Sequence, residues 1–237
     1  MKHLKNYAIV VAAGKGRRVG REINKQYIKI NNKPIVAYTL EVLQKSISID
    51  GIILVVGKGE IDYCREKIVN KYDLAKVISI IEGGKERVNS VANGIAKLPK
   101  DCSIVIIQDG ARPFLSEEMI EMTITGAEEV GGAIVAVPVK DTIKVVNSNM
   151  EVEKTVDRSK LWSIQTPQAF KASLIKEIYQ TLSEADKEIT DDAMLFERAG
   201  YTVKIIMGSY RNIKITTPED LFVAEEMIKK EKGESNV

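Results

Sequence analysis

Between Val10 and Ile30 the sequence reads VVAAGKGRRVGREINKQYIKI, an apolar run that passes directly into a stretch holding three arginines and three lysines. Like charges crowded onto one loop repel each other, so the cluster points to an anion. Gly14 and Gly16 let the backbone turn sharply and aim successive N–H groups at one spot, while Arg17, Arg18 and Lys25 can place fork-shaped and point charges around it. Mobile cations around a glycine turn suit a triphosphate; the alternative is a solvated basic loop whose glycines serve only for turning. Two familiar patterns do not fit. The dinucleotide fingerprint needs glycine where Val19 stands, and a P-loop needs lysine and a hydroxyl residue after its last glycine, where Gly20 is followed by Arg21 and Glu22.

Three further stretches carry candidate chemistry. In IEGGKERVNSVANGIAKL, Gly83 and Gly84 end an apolar run and a helix pattern starts near Arg87, which brings free N–H groups and the Ser90 hydroxyl to the edge where α/β proteins bind ligands. An ordinary strand-to-helix turn would look the same. IVIIQDGARPF ends an apolar strand in Asp109, whose carboxylate beside a triphosphate suits Mg²⁺ or a ligand hydroxyl, with Arg112 able to pair a phosphate. The competing reading is an Asp109–Arg112 ion pair that only stabilises the turn. Lys214 lies in NIKIT, where strand alternation would aim it opposite Ile213 and Ile215, toward solvent or a pocket.

The elements that must position these residues alternate along the chain. The runs YAIVVAA, GIILVVG, KVISII, SIVIIQD, GAIVAVPV and YTVKIIM are continuously apolar, as strands covered on both faces are. PIVAYTLEVLQK, REKIVNKYDL, RVNSVANGIAKL and EEMIEMTITGAEEV between them have helical spacing. This predicts an α/β fold, a mostly parallel sheet with helices on both faces. One stretch breaks the rhythm: DTIKVVNSNMEVEKTVDR alternates on either side of a turn-like NSNM and predicts an antiparallel arm, either an edge hairpin or one that reaches a partner. In ITTPEDLFVAEEMIKKEK, Thr217 caps, Pro218 opens and Glu219 and Asp220 charge the start of a last helix.

Composition narrows the function. With 237 residues, 44% hydrophobic and 29% charged, the chain predicts one globular domain spanning 1–237. A net charge of +2 gives no footprint for nucleic acid or a membrane surface. Neither a signal peptide nor a run of membrane-spanning length is visible, so a cytoplasmic protein is expected. Cys64 and Cys102 offer neither metal spacing nor a disulfide framework, and the single histidine, His3, sits in the polar start of the chain. Chemistry therefore falls to lysine, arginine, carboxylates, hydroxyls and backbone.

In order and spacing, AAGKGRR with NKQY, GGKERVNSV, DGARPF, VPVKDTIK, TVDR, LWSIQTPQAF, TDDA and NIKITTPEDL resemble the 2-C-methyl-D-erythritol 4-phosphate cytidylyltransferase family over nearly the whole chain. The resemblance implies a Rossmann-like sheet with a β-arm, residues 139–160, that dimerises the protein and shares sites between subunits. It implies CTP and methylerythritol phosphate as substrates and Mg²⁺ or another divalent cation as cofactor. Arg18, Lys25 and Lys214 would be catalytic; Ala12, Ala13, Gly14, Gly16, Gly84, Arg87, Ser90, Asp109 and Ala111 would bind CTP with them. Asp109 would also meet the metal and, with Arg112, Thr142, Arg158 and Thr166, the second substrate.

Two positions depart from the family's habit: Gln108 stands where histidine is frequent, and Lys85 where an acid is. Ribitol-5-phosphate cytidylyltransferase shares the loop and NIKITTP, but VPVKDTIK and TVDRSKLW fit the methylerythritol enzyme. A regulatory nucleotide-binding module is the rival from another class; it predicts loss of a catalytic cation, yet Arg18, Lys25 and Lys214 are all present.

Overall fold

A computed structural model describes residues 4–14, 24–181 and 189–231. Six apolar runs become strands: β1 (Lys5–Ala12), β4 (Gly51–Val56), β5 (Val77–Glu82), β6 (Cys102–Asp109), β7 (Gly132–Pro138) and β11 (Val203–Met207). The short β2 (Lys29–Ile30) and β3 (Lys33–Pro34) pair separately. With β10 (Trp162–Lys171) the six build a seven-stranded sheet in the order β11-β7-β10-β6-β1-β4-β5. All neighbours run parallel except β10, which is antiparallel to both β6 and β7.

The pleat sorts each central strand into two layers. Ala8, Val10 and Ala12 of β1, Ile52 and Leu54 of β4, and Ile104 and Ile106 of β6 face one core, together with α1 (Ile35–Lys45) and α4 (Glu117–Val130). Tyr7 and Ile9, Ile53 and Val55, and Val105 and Ile107 face the other, against α3 (Arg87–Ile95), α5 (Ala172–Gln180) and α6 (Asp192–Arg198). Two-sided burial explains why these runs are apolar at every position. The outer strands differ from that reading: Ile78 of β5 is 52% exposed and Met207 of β11 57%, because each is a sheet edge.

Local signals fix the helix ends. Ser116 Oγ accepts the Met119 N–H at 3.3 Å to start α4, and Gly131 ends it with a φ of 102° that a side chain would resist. The last helix, α7 (Pro218–Glu231), starts as expected: Thr217 Oγ1 accepts the Asp220 N–H at 3.3 Å, and Asp220 Oδ2 accepts the Thr217 N–H at 2.9 Å. It packs Ala224 and Ile228 on Ile28, Ile30, Ile35 and Ile215, a third core beside the sheet.

The arm is a hairpin of β8 (Lys144–Val146) and β9 (Val152–Thr155), separate from the main sheet. Alternation predicts one buried face. This chain buries neither: Val146 is 46% exposed, Val152 60% and Met150 80%. Among the described residues no other element packs extensively on the hairpin.

Candidate nucleotide-binding and catalytic site

The carboxyl ends of β1, β4, β5 and β6 open onto one cavity of about 1070 Å³. Parallel strands bring all their C-terminal loops to one edge, so motifs about 20 to 200 residues apart in sequence meet there. Ala12, Ala13 and Gly14 line it from the end of β1, Gly84, Arg87 and Ser90 from the start of α3 and the turn before it, and Asp109, Ala111 and Lys214 at what we call its floor. The Gly16 and Arg18 expectations, with Arg17, lie outside the described residues, as does the Lys25 side chain.

The turn before α3 is fixed from within. Ser90 Oγ accepts the Gly84 N–H at 3.1 Å and donates to the Glu86 carbonyl at 3.2 Å, and the Glu86 N–H is held by Asn89 Oδ1 at 3.1 Å. Gly83 allows the end of β1 and the start of α3 to approach: a Cβ there would lie 2.5 Å from Ala13 Cβ and 2.7 Å from Ser90 Oγ. Gly83→Ala is accordingly expected to destabilise the protein by about 1–3 kcal/mol, read as a lowered midpoint in urea unfolding.

Asp109 collects cations from three directions. Lys214 Nζ lies 2.8 Å from Oδ2, Arg112 Nε 3.5 Å from the same oxygen, and Arg87 Nε 3.6 Å from Oδ1. Burial by itself would raise the Asp109 pKa, but Lys214, Arg87 and Arg112 outweigh it and hold the carboxyl well below the usual range. Its N–H also bonds Thr166 Oγ1 at 3.1 Å, which places buried Thr166 behind the floor.

Lys214 reaches the carboxylate from an irregular segment rather than from the strand expected for it. Ile215 N–H bonds the Ala111 carbonyl at 2.9 Å, but no ladder follows, since Ile213 and Ile215 pack into the third core beside α7. The predicted side choice still holds: isoleucines one way, lysine the other. Buried Asn212 sets the entry to this segment, donating to Gln165 Oε1 at 3.1 Å and the Thr166 carbonyl at 2.9 Å. Arg112 Nη1 donates to the Asn212 carbonyl at 2.7 Å, so Arg112 both flanks Asp109 and braces the lysine segment.

The TDDA stretch matches the family motif without giving any of its residues a role. Asp192 is 1% exposed, 2.7 Å from Arg87 Nη1, and accepts the Tyr179 hydroxyl. Burial would lower the Arg87 pKa, but Asp192 and Asp109 raise it further, so the guanidinium stays charged at the cavity wall. Gln168 Oε1 accepts the N–H groups of Asp192 and Ala193 at 3.2 and 3.3 Å. An acidic pair before a short helix is a capping signal, and Asp191 does cap, accepting the Met194 N–H at 3.1 Å. That its neighbour turns inward to an arginine had no local signal.

Across this floor Arg87, Arg112 and Lys214 face Asp109 and Asp192, which leaves a net positive charge for an anion. Lys85 also lines the cavity, whereas Gln108 is fully buried and donates to the Asp109 carbonyl at 3.2 Å. Thr142 and Arg158 are not part of the cavity: both are exposed at the base of the arm, where Arg158 donates to the Lys140 carbonyl. Among the described residues no group of three or more His, Cys, Asp or Glu could hold a metal ion. No helix among the described residues is long and apolar enough to cross a membrane.

A family model described as 2-C-methyl-D-erythritol 4-phosphate cytidylyltransferase matches residues 7–230. The chain belongs to that family. A relative carrying the family's name in Alkaliphilus oremlandii is 54% identical over 225 residues, covering 95% of each chain. Another, in Clostridioides difficile, is 48% identical over 224 residues and covers 94% of each. The crystal structure of 4-diphosphocytidyl-2C-methyl-D-erythritol synthase from Anaerococcus prevotii superposes with a TM-score of 0.83 at 34% identity, over 95% of this chain and 96% of that one. The family read from the motifs is thus borne out over nearly the whole length, and so is its mostly parallel sheet.

Proposed function

We propose that the chain transfers the cytidylyl group of CTP to 2-C-methyl-D-erythritol 4-phosphate, giving 4-diphosphocytidyl-2-C-methyl-D-erythritol and pyrophosphate. The observation that carries this reading is the Lys214–Asp109 pair at 2.8 Å, set among two arginines at the strand ends of a chain of this family. A phosphate oxygen of the alcohol phosphate attacks the α-phosphorus in line, a new P–O bond forms, and the bond to the β-phosphate breaks with its electron pair leaving on pyrophosphate. The attacking phosphate is already ionised at neutral pH, so no strong base is required. Such transfers depend on positioning and on neutralising charge at the reacting phosphorus.

Arg18, Lys25 and Lys214 supply that neutralisation in this reading, with Gly14 and Gly16 cradling the triphosphate. Ala12, Ala13, Gly84, Arg87, Ser90 and Ala111 bind the nucleoside end of CTP. Asp109 would hold Mg²⁺, which when bound would screen phosphate charge and favour departure of pyrophosphate. Arg112, Thr142, Arg158 and Thr166 belong to the methylerythritol phosphate. The exposed apolar residues of the arm support a homodimer in which residues 139–160 reach the neighbouring subunit, and the protein acts in the cytoplasm.

Pyrophosphate release from CTP and Mg²⁺, with methylerythritol phosphate and ribitol 5-phosphate in parallel, tests the reading. Release with the first alone is expected; release with ribitol phosphate alone would overturn the assignment of the arm, and release with neither would overturn transfer. Arg158→Ala is expected to raise the KM for methylerythritol phosphate about 100-fold while the CTP KM stays within about twofold, as loss of one charge-assisted phosphate contact predicts.

A further inference from the structure

The 3-10 turn Lys25–Tyr27 belongs to neither β2 nor β3, so side chains have to fix it against the cavity. The residues on either side of Lys25 and Gln26 converge on one carboxylate. Asn24 Nδ2 donates to Glu60 Oε1, and the Tyr27 hydroxyl donates to Glu60 Oε2 at 2.6 Å. Glu60 is itself held from behind, at the turn that follows β4. Its Oε2 accepts the Gly57 N–H at 2.9 Å, and its own N–H bonds the Gly57 carbonyl at 3.1 Å. A Cβ at position 57 would sit 2.8 Å from Glu60 Cδ, so glycine is what lets the carboxylate fold back over its own turn.

The far side of Tyr27 is equally fixed. The residue is 7% exposed, its ring meets Tyr63 edge-on at 5.0 Å, and its hydroxyl lies 3.0 Å from Sγ of fully buried Cys64. Burial, then Cys64 and Glu60, push the Tyr27 hydroxyl above its ordinary pKa, so it stays protonated and donates. Asn24, Gln26 and Glu60 all line the cavity. A carboxylate at the wall of an anion site works against binding through its charge. Three donors converging on it identify a different task, that of an anchor.

We propose that Glu60 is a positioning residue for the transfer: through Asn24 and Tyr27 it clamps the backbone that carries Lys25 to the turn after β4. The proposal rests on the cytidylyl-transfer reading above. It is tested with Glu60→Ala, Glu60→Gln and Tyr27→Phe, each in a Cys102→Ser background, by kcat, both KM values and the rate at which Cys64 reacts with dithiobis(nitrobenzoate). For Glu60→Ala, kcat is expected to fall about 100-fold, as a displacement near 1 Å at a reacting site does, with the methylerythritol phosphate KM within about twofold. Cys64, no longer covered by a fixed Tyr27, reacts about tenfold faster. Glu60→Gln keeps kcat within about threefold, because its amide oxygen can accept from Tyr27 and Gly57 while its nitrogen meets Asn24 Oδ1 once that amide turns over. Tyr27→Phe leaves the ring packed and lowers kcat about fivefold through the lost hydrogen bond. Wild-type kcat in Glu60→Ala, or equal losses in the alanine and glutamine variants, overturns the proposal. If the wild-type chain releases no pyrophosphate, the transfer reading fails, and the Cys64 rate alone then decides whether Glu60 holds the segment: an unchanged rate overturns the clamp, a faster one upholds it.

Discussion

Lys214→Ala is expected to lower kcat about 1,000-fold while the protein stays folded, at the upper end of what removal of one preorganised charge donor costs. The lysine is partly exposed at the cavity floor, and its contact with Asp109 is its one ion pair among the described residues. Its own removal therefore leaves little unpaired behind it, since Asp109 keeps Arg87 and Arg112. Lys214→Arg should recover only part of the loss, because the planar fork cannot reproduce a point charge held by the packing of Ile213 and Ile215. Steady-state pyrophosphate release, with thermal melting to verify folding, measures both variants. A Lys214→Ala enzyme within about fivefold of wild type would remove the residue from the reaction.

Asp109→Asn should affect both stability and activity. The buried carboxylate compensates Lys214, Arg87 and Arg112, and loss of one partner of a buried ionic cluster costs about 3 kcal/mol. Its folded-state pKa lies below that of the unfolded chain, so the folded protein binds this proton more weakly. The stabilisation is therefore complete above about pH 4, the ordinary carboxylate range, and is lost as the pH falls below that toward the depressed folded value. In Asp109→Asn this contribution is missing at every pH, so unfolding free energy should vary less with pH on the acid side. In the proposed reaction kcat should fall about 1,000-fold and the Mg²⁺ concentration for half-maximal rate should rise, as loss of a metal-holding carboxylate predicts. Urea unfolding across the acid range and a Mg²⁺ titration of activity measure the two effects. Identical acid limbs in mutant and wild type would contradict the electrostatic account of the floor.

The strands that form the site floor were legible because burial on both faces leaves no polar position, as in GIILVV, all six of whose residues are buried in β4. β10 was not read as a strand, although it lies inside the sheet between β7 and β6. Its polar SIQTPQ stretch carries Pro167 where the register with β7 is interrupted between Ile164 and Gln168, and the buried Gln165, Thr166 and Gln168 find partners beyond their own strand. Such polarity looks like a loop when its partners are unknown. Lys214 was read on the correct side from alternation, yet the segment is no strand, because packing against α7 produces the same alternation without a ladder.

The chain's local physics determined the helix caps, the glycine turns, the hairpin and the sites where cations and carboxylates would gather, since each depends on residues a few positions apart. The motif order identified the family for the same reason, being a property of the string itself. What only the tertiary structure decided was the pairing: Asp109 with Lys214 rather than with Arg112 alone, Arg87 with Asp192, and Glu60 with Asn24 and Tyr27. These partners lie about 30 to 100 residues apart in sequence, and only the shared carboxyl edge of the parallel strands brings them within hydrogen-bond reach.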